Sequence, residues 1–279
     1  MLYLSLLAGC LSLDLAESWQ LDRLRILAVQ AEPAEPQPGE LVSFQSLVYL
    51  PPDLTLEGVV WFACLPEGAD EFGCSLDESV LDSLDPEDPD LEALAEAGFI
   101  GFEPFLPPTW VAPADALEGL DDIAAQEGVS ALINLSALPA DAEDDGDVEL
   151  AYKRLPISQA LTPNHNPAVT SLLVDGEPLS DGVLVTSQSS THALEPVLSV
   201  ESIEVYTYTA IDGAQEERTE EPYFTWYTEG GTFDQTFSLH PYSDVEWTAP
   251  AEPFEGTVVV TVRDRRGGMA WASLRVIVE

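Results

Sequence analysis

Gly256-Thr257-Val258-Val259-Val260-Thr261-Val262-Arg263-Asp264 runs into Arg265-Arg266-Gly267-Gly268, and a second apolar run follows from Ala270 to Val278. Two β-branched runs meeting at a glycine pair predict a hairpin, because glycine accepts positive φ without steric cost. Ala270, Ala272, Leu274, Val276 and Val278 alternate along the second run and are expected to form the last buried row of a sheet. Upstream, Tyr223-Phe224-Thr225-Trp226-Tyr227 predicts a central strand with Phe224 and Trp226 pointing the same way. Ile203-Glu204-Val205-Tyr206-Thr207-Tyr208-Thr209 alternates with period two and predicts a strand with one buried and one wet face. Ala168 to Gly176 opens this second module, and Ser158 to Pro167, with Pro163, Asn164 and Pro167, is the linker before it.

The N-terminal half repeats the rhythm more loosely. Leu24–Ala31, Leu41–Leu50 and Val59–Cys64 read as strands, divided by turns such as Glu32-Pro33-Ala34-Glu35-Pro36-Gln37-Pro38-Gly39-Glu40. Gly128–Leu138 and Val148–Ile157 resume the strand pattern. Between them, residues 67–96 hold 12 acids and no base, with one short helix expected near Asp90–Ala97. The first module is therefore expected to span 22–157, with an acidic loop and short-helix insertion over about 67–127. The second spans 168–279. Trp61, Trp226, Trp247 and Trp271 are expected in the cores, since large rings fill the space between sheets. Glu103 to Pro113 is expected as an irregular aromatic segment packed over a sheet edge, and Trp110, beside Pro107-Pro108, is the ring to test as a surface contact.

The charge balance is extreme: 51 Asp+Glu against 9 Lys+Arg, a formal net charge of -42. Both halves share it, with 4 bases and 32 acids up to Thr162, and 5 and 19 beyond. Such a field repels nucleic-acid phosphate and attracts cations or basic partners, so nucleic-acid binding is set aside. The acids are otherwise a solvated surface that favours solubility.

Val245-Glu246-Trp247-Thr248-Ala249-Pro250, followed by Thr257–Asp264 and Arg266-Gly267-Gly268, resembles the end of bacterial Ig-like or PKD-like domains. The opening Asn164-His165-Asn166-Pro167 is similar to domain starts in lipoproteins of myxobacteria and their relatives. The resemblance covers residues 164–279 well and 22–157 loosely. It implies an all-β protein of two immunoglobulin-like antiparallel β-sandwich domains in an envelope setting, and implies no activity.

Met1 to Cys10, an apolar run ending Leu7-Ala8-Gly9-Cys10, resembles a bacterial lipobox, in which cleavage precedes a cysteine that then carries diacylglycerol. No Lys or Arg precedes Cys10, so residues 1–9 are read as a signal peptide cut short at its front, and 10–21 as a lipidated tether. Acyl chains would hold the protein to a membrane at about 0.8 kcal/mol per buried methylene. With Cys10 lipidated, Cys64 and Cys74 remain, and export to an oxidising compartment would let them pair. A zinc site is the alternative, but none of the three histidines lies near these cysteines in sequence.

Asp141-Ala142-Glu143-Asp144-Asp145-Gly146 imitates the start of an EF-hand loop, with Asp141, Glu143 and Asp145 at positions 1, 3 and 5 and glycine at 6. Position 12, where a bidentate Glu belongs, is Tyr152. An acidic turn is the plain reading and a loose calcium site the other. His165, His192 and His240 sit in no nucleophile motif, and no Gly-x-Ser-x-Gly elbow or His-Glu-x-x-His helix occurs. The expected function is thus a non-catalytic, lipid-anchored envelope protein acting as a structural, adhesion or assembly module, its partners the membrane and an unknown envelope protein or glycan. The alternative is an acidic module that binds calcium, a glycan or a basic protein. No other cofactor is expected.

Overall fold

A computed structural model of the chain describes residues 17–65, 69–70, 73–74, 91–140, 148–179, 181–209 and 213–279. The fold is all-β, with two sandwiches in series. In the first, β1 (Arg25–Glu32), β2 (Leu41–Tyr49) and β7 (Thr109–Val111) form one sheet. The facing sheet has the order β6 (Phe99–Glu103), β3 (Leu56–Cys64), β8 (Val129–Pro139) and β9 (Glu149–Ile157). Strand β8 shows why it pairs this way: Ala131, Ile133, Leu135 and Ala137 alternate into the core, and the register with β3 and β9 keeps them there. Trp61, fully buried, meets Phe44 of the opposite sheet at 5.9 Å between ring centroids.

The acidic insertion is smaller than expected. Within 67–127, β6 and β7 are sheet strands, pairing with β3 and β2 respectively, so the sandwich resumes at Phe99. Period-two reading missed them because β6 carries Gly101, packed under Pro108 where a Cβ would not fit, and β7 has three residues. The helix α1 (Leu91–Glu96) buries Leu94. Helix α2 (Asp122–Glu127) begins at Asp121, whose carboxylate accepts the N–H groups of Ile123 and Ala124. A short ladder of β4 (Ala69–Asp70) and β5 (Gly73–Cys74) lies beside β8.

The second sandwich sets β11 (Glu177–Pro178), β10 (Val169–Val174), β13 (Thr191–Leu198), β19 (Val245–Thr248) and β17 (Thr232–Phe233) against β12 (Val183–Thr186), β21 (Met269–Val278), β20 (Phe254–Arg263), β16 (Tyr223–Thr228) and β18 (Phe237–Leu239). One pair departs from the antiparallel expectation: β12 runs parallel to β21, because the chain crosses from the first of these sheets to the edge of the second. The hairpin β20–β21 forms as read, and Phe224, Trp226 and Trp247 are fully buried.

Two expectations fail here. Trp271 is half-buried and outside the core, since with Ala270 and Leu274 turned inward an odd-numbered neighbour faces the other way. Among the described residues the alternating Val205–Thr209 stretch, β14, pairs only with β15 (Gln215–Thr219), whose residues are all exposed, so this hairpin belongs to neither sandwich and buries no face.

The outer face of the β16–β20 pair is also covered. Val259 and Tyr227 alternate with the core residues Val258, Val260 and Trp226, and meet Leu21, Leu27, Leu47 and Tyr49 of the first module. Burying a Leu or Val contributes roughly 1.5–3 kcal/mol, so this small cluster is a substantial bond between modules. Around it, Leu21 N–H donates to the Thr228 carbonyl at 2.8 Å, Thr228 N–H to Trp19 at 3.1 Å, and Tyr49 hydroxyl to Glu229 at 2.9 Å.

Candidate functional site at the junction

The residues that join the modules gather at the turn of the C-terminal hairpin, Asp264–Gly268. Asp264 is 1% exposed, and its Oδ1 accepts the backbone N–H of Arg266, Gly267 and Gly268 at 2.7, 3.0 and 2.9 Å. Its Oδ2 accepts Asn164 Nδ2 from the linker at 2.8 Å. The turn needs left-handed backbone at Arg265 (φ 73) and Gly267 (φ 116), and a Cβ at Gly268 would overlap the Asp264 carboxylate. The Asp-Arg-Arg-Gly-Gly sequence therefore encodes a specific shape, not merely a reversal.

On one side of this turn, Arg266 is surrounded by acids. Its guanidinium reaches Glu204 at 3.0 Å, Glu220 at 3.1 Å and Glu35 of the first module at 3.4 Å. It also donates to the Thr162 carbonyl at 3.1 Å and lies 4.4 Å over the Tyr206 ring. Glu35 in turn accepts Ser158 Oγ at 2.6 Å and the Asn164 N–H at 2.7 Å. Asn166 donates to the Ala31 carbonyl at 2.7 Å and accepts Met269 N–H at 3.0 Å. Linker, first module and second module are thus one hydrogen-bonded body. Burial pushes the Glu220 carboxyl up to about 7, with Asp264 adding to the rise, while the Glu204 N–H and Arg266 pull it back.

On the other side, a cleft of about 310 Å³ opens between the edges of β1 and β9 and the base of the hairpin. Lys153, Arg154, Arg263 and Arg265 line it, with Tyr152, Tyr223 and Met269, and among the described residues no acid does. Lys153 is buried and donates to the Gly267 carbonyl at 2.5 Å. Desolvation lowers it to about 8; Asp264 opposes the drop and Arg263 adds to it. Arg263 donates to Thr261 Oγ1 at 3.1 Å and the Leu27 carbonyl at 3.4 Å, and lies over the Tyr223 ring.

The residues singled out from sequence lie elsewhere. Cys64 and Cys74 are joined in a disulfide, Cα–Cα 5.6 Å, that ties β3 to β5. Cys10, Asp141, Glu143 and Asp145 lie outside the described residues. Among the described residues no cluster of three His, Cys, Asp or Glu is arranged to hold a metal, and no helix is long and apolar enough to cross a membrane. Trp110 is half-buried against the first core instead of offering a surface contact, because β7 pairs into the sheet; the exposed ring nearby is Phe105.

His192 lies in β13. Asp175 meets its Nδ1 at 2.7 Å, and Thr186 and Ser190 hydroxyls face its Nε2 at 2.6 and 3.3 Å. That His192 hydrogen bond holds the Asp175 carboxyl below its ordinary value. The order acid, imidazole, hydroxyl has the outline of a hydrolytic triad. Ser190, however, donates to the Ser187 carbonyl at 2.6 Å, which turns its proton away from the imidazole. Asp175 also accepts Ala193 N–H, and the group fastens β12 to β13.

No protein-family model matches the chain, and no curated protein sequence matches it. Among solved structures, the fibronectin(III)-like modules of Clostridium thermocellum CbhA align over 90% of this chain and 94% of theirs, at 10% identity and a TM-score of 0.26. The D00-D0 domain of intimin aligns over 90% of this chain and all of its own, at 8% identity and a TM-score of 0.26. The two tandem V-type regions of VCBP3, a v-region-containing chitin binding protein, align over 91% and 99%, at 12% and 0.32. At such scores these likenesses carry no weight for function, and the sandwich assignment rests on the strand pairing itself.

Proposed function

We propose that the chain is an exported, lipid-anchored and non-catalytic module of the cell envelope, a rigid two-sandwich spacer that holds a partner-binding surface at a fixed distance from a membrane. The junction carries this reading. A hinge would be expected to have few contacts across it and a solvated linker. Here the linker residues Ser158 and Asn164 are buried, and Arg266 joins linker, first module and second module at once. Such a body transmits position instead of closing on a substrate.

The disulfide between Cys64 and Cys74 supports an oxidising destination, where such bonds persist. Cys10, in its lipobox-like setting, would supply the anchor. The deciding experiment is metabolic labelling with a fatty-acid analogue, comparing the wild type with Cys10→Ala. Label that depends on Cys10, together with one disulfide in the native protein, supports the reading. An unlabelled chain with three free thiols would overturn it.

A further inference from the structure

Nine bases in a chain with 51 acids have carboxylates on every side, and their pairing is informative. Arg23, Arg218, Arg266 and Arg275 each have a carboxylate partner, and Arg25 donates to the carbonyls of Ser18 and Gln20. The remaining four, Lys153, Arg154, Arg263 and Arg265, are the ones that line the cleft between β1, β9 and the hairpin. Of these only Arg265 has a carboxylate within reach, exposed Glu221 at 3.7 Å on the rim. The nearest interior acid, Asp264, is engaged by three backbone N–H groups and Asn164.

Leaving three cations together with no carboxylate in direct contact among the described residues is costly. At Lys153 burial disfavours the charged form, Asp264 opposes that drop, and Arg263 adds a smaller repulsion. Yet the bonds they do make use little of their capacity: one of the three Lys153 protons is taken by the Gly267 carbonyl, and among the described residues the Arg154 guanidinium forms no ion pair. We propose that this cleft is a binding site for a small organic anion carrying two or more oxyanion groups, carboxylate or phosphate, that Arg154, Arg263 and Lys153 hold together. The planar guanidinium fork matches either oxyanion with two parallel hydrogen bonds, and the ammonium adds a point charge. A volume of about 310 Å³ sits at the small end of ligand sites, so the occupant is a small molecule and not a polymer strand. The Tyr152 and Tyr223 rings give its carbon skeleton a wall. The surrounding negative field makes the site selective: it repels anions in general, and only one able to engage several cations at once gains enough to enter.

The test is isothermal titration of the full chain with citrate and, separately, with pyrophosphate, at ionic strength held constant with sodium chloride. Saturable one-to-one binding of either is expected, the two arms telling carboxylate from phosphate chemistry. At a hundredfold excess over Kd, the melting temperature should rise by roughly 5 °C. Arg154→Gln, an exposed change on β9 that leaves the fold alone, should weaken binding at least tenfold, and Arg263→Gln likewise. Arg275→Gln, in an ion pair with Glu255 outside the cleft, should leave it unchanged. Absence of saturable heat with both anions overturns the proposal. So does a stabilisation that the Arg154→Gln and Arg263→Gln variants share with the wild type, which would mark it as a general effect of these salts on burial.

Discussion

The two sides of one hairpin turn treat positive charge in opposite ways. Arg266 points toward the linker and meets three carboxylates. Arg265 and Arg263, one and three positions earlier, line the cleft with Lys153 and Arg154, where no carboxylate lines the wall among the described residues. In a chain with more than five acids per base, both outcomes are choices of placement, since a partner for any cation is never far away. The saturated side has the marks of structure: buried, multidentate and shared between modules. The unsaturated side has the marks of a receptor, paying for its charge with desolvation and repulsion.

Removing one cation from each side should therefore separate the two roles. Arg266→Ala leaves Glu204, Glu220 and Glu35 facing one another without their counter-ion and should cost about 3–5 kcal/mol, read from guanidinium unfolding. Lys153→Met removes a buried charge that has no carboxylate partner, and the same measurement should find a change of less than about 1 kcal/mol, the lost Gly267 hydrogen bond offsetting the relieved desolvation. Equal losses in the two variants would erase the distinction.

Replacing both Cys64 and Cys74 by serine tests a staple far from the turn and should cost about 2–3 kcal/mol for so short a loop, with the junction unaffected. A pH series sharpens the saturated side further. The Glu220 carboxyl rises from 4.5 to about 7, so its contribution is fully present below 4.5 and is lost as pH climbs through 7. Glu204, Arg266, Asp264 and Tyr206 surround it. Glu220→Gln should hence flatten the stability profile between pH 4.5 and 7 relative to wild type, by an amount on the order of 2–3 kcal/mol across that window. An identical profile in both proteins would show that Glu220 titrates normally.

Much of the fold was legible in the sequence because its signals are local. Thr257–Val262 and Ala270–Val278 announce their hairpin through β-branching and a glycine pair, and Phe224 with Trp226 reveal a core strand by period alone. The same rule misleads where the partner is missing: Val205–Thr209 alternates just as well, yet only Gln215–Thr219 pairs with it, and no sheet covers either face. Trp271 was misplaced by size over parity. The site was not legible at all. Glu35 is 231 positions from Arg266, and Lys153 is 110 from Arg263; only the packing of β1 and β9 against the second module brings them together. One clue stood in the sequence unread: an aspartate followed by two arginines and two glycines is an odd turn for so acidic a chain.

The central claim is that the two sandwiches form a single body fastened at Asp264–Gly268. Guanidinium unfolding followed by tryptophan fluorescence tests it directly, because each core has its own reporter, Trp61 in the first and Trp226 with Trp247 in the second. One cooperative transition is expected in the wild type, coincident with loss of far-ultraviolet circular dichroism, and two separated transitions in Arg266→Ala. Two transitions in the wild type itself would contradict the account, for they would mean that the modules fold and fail independently.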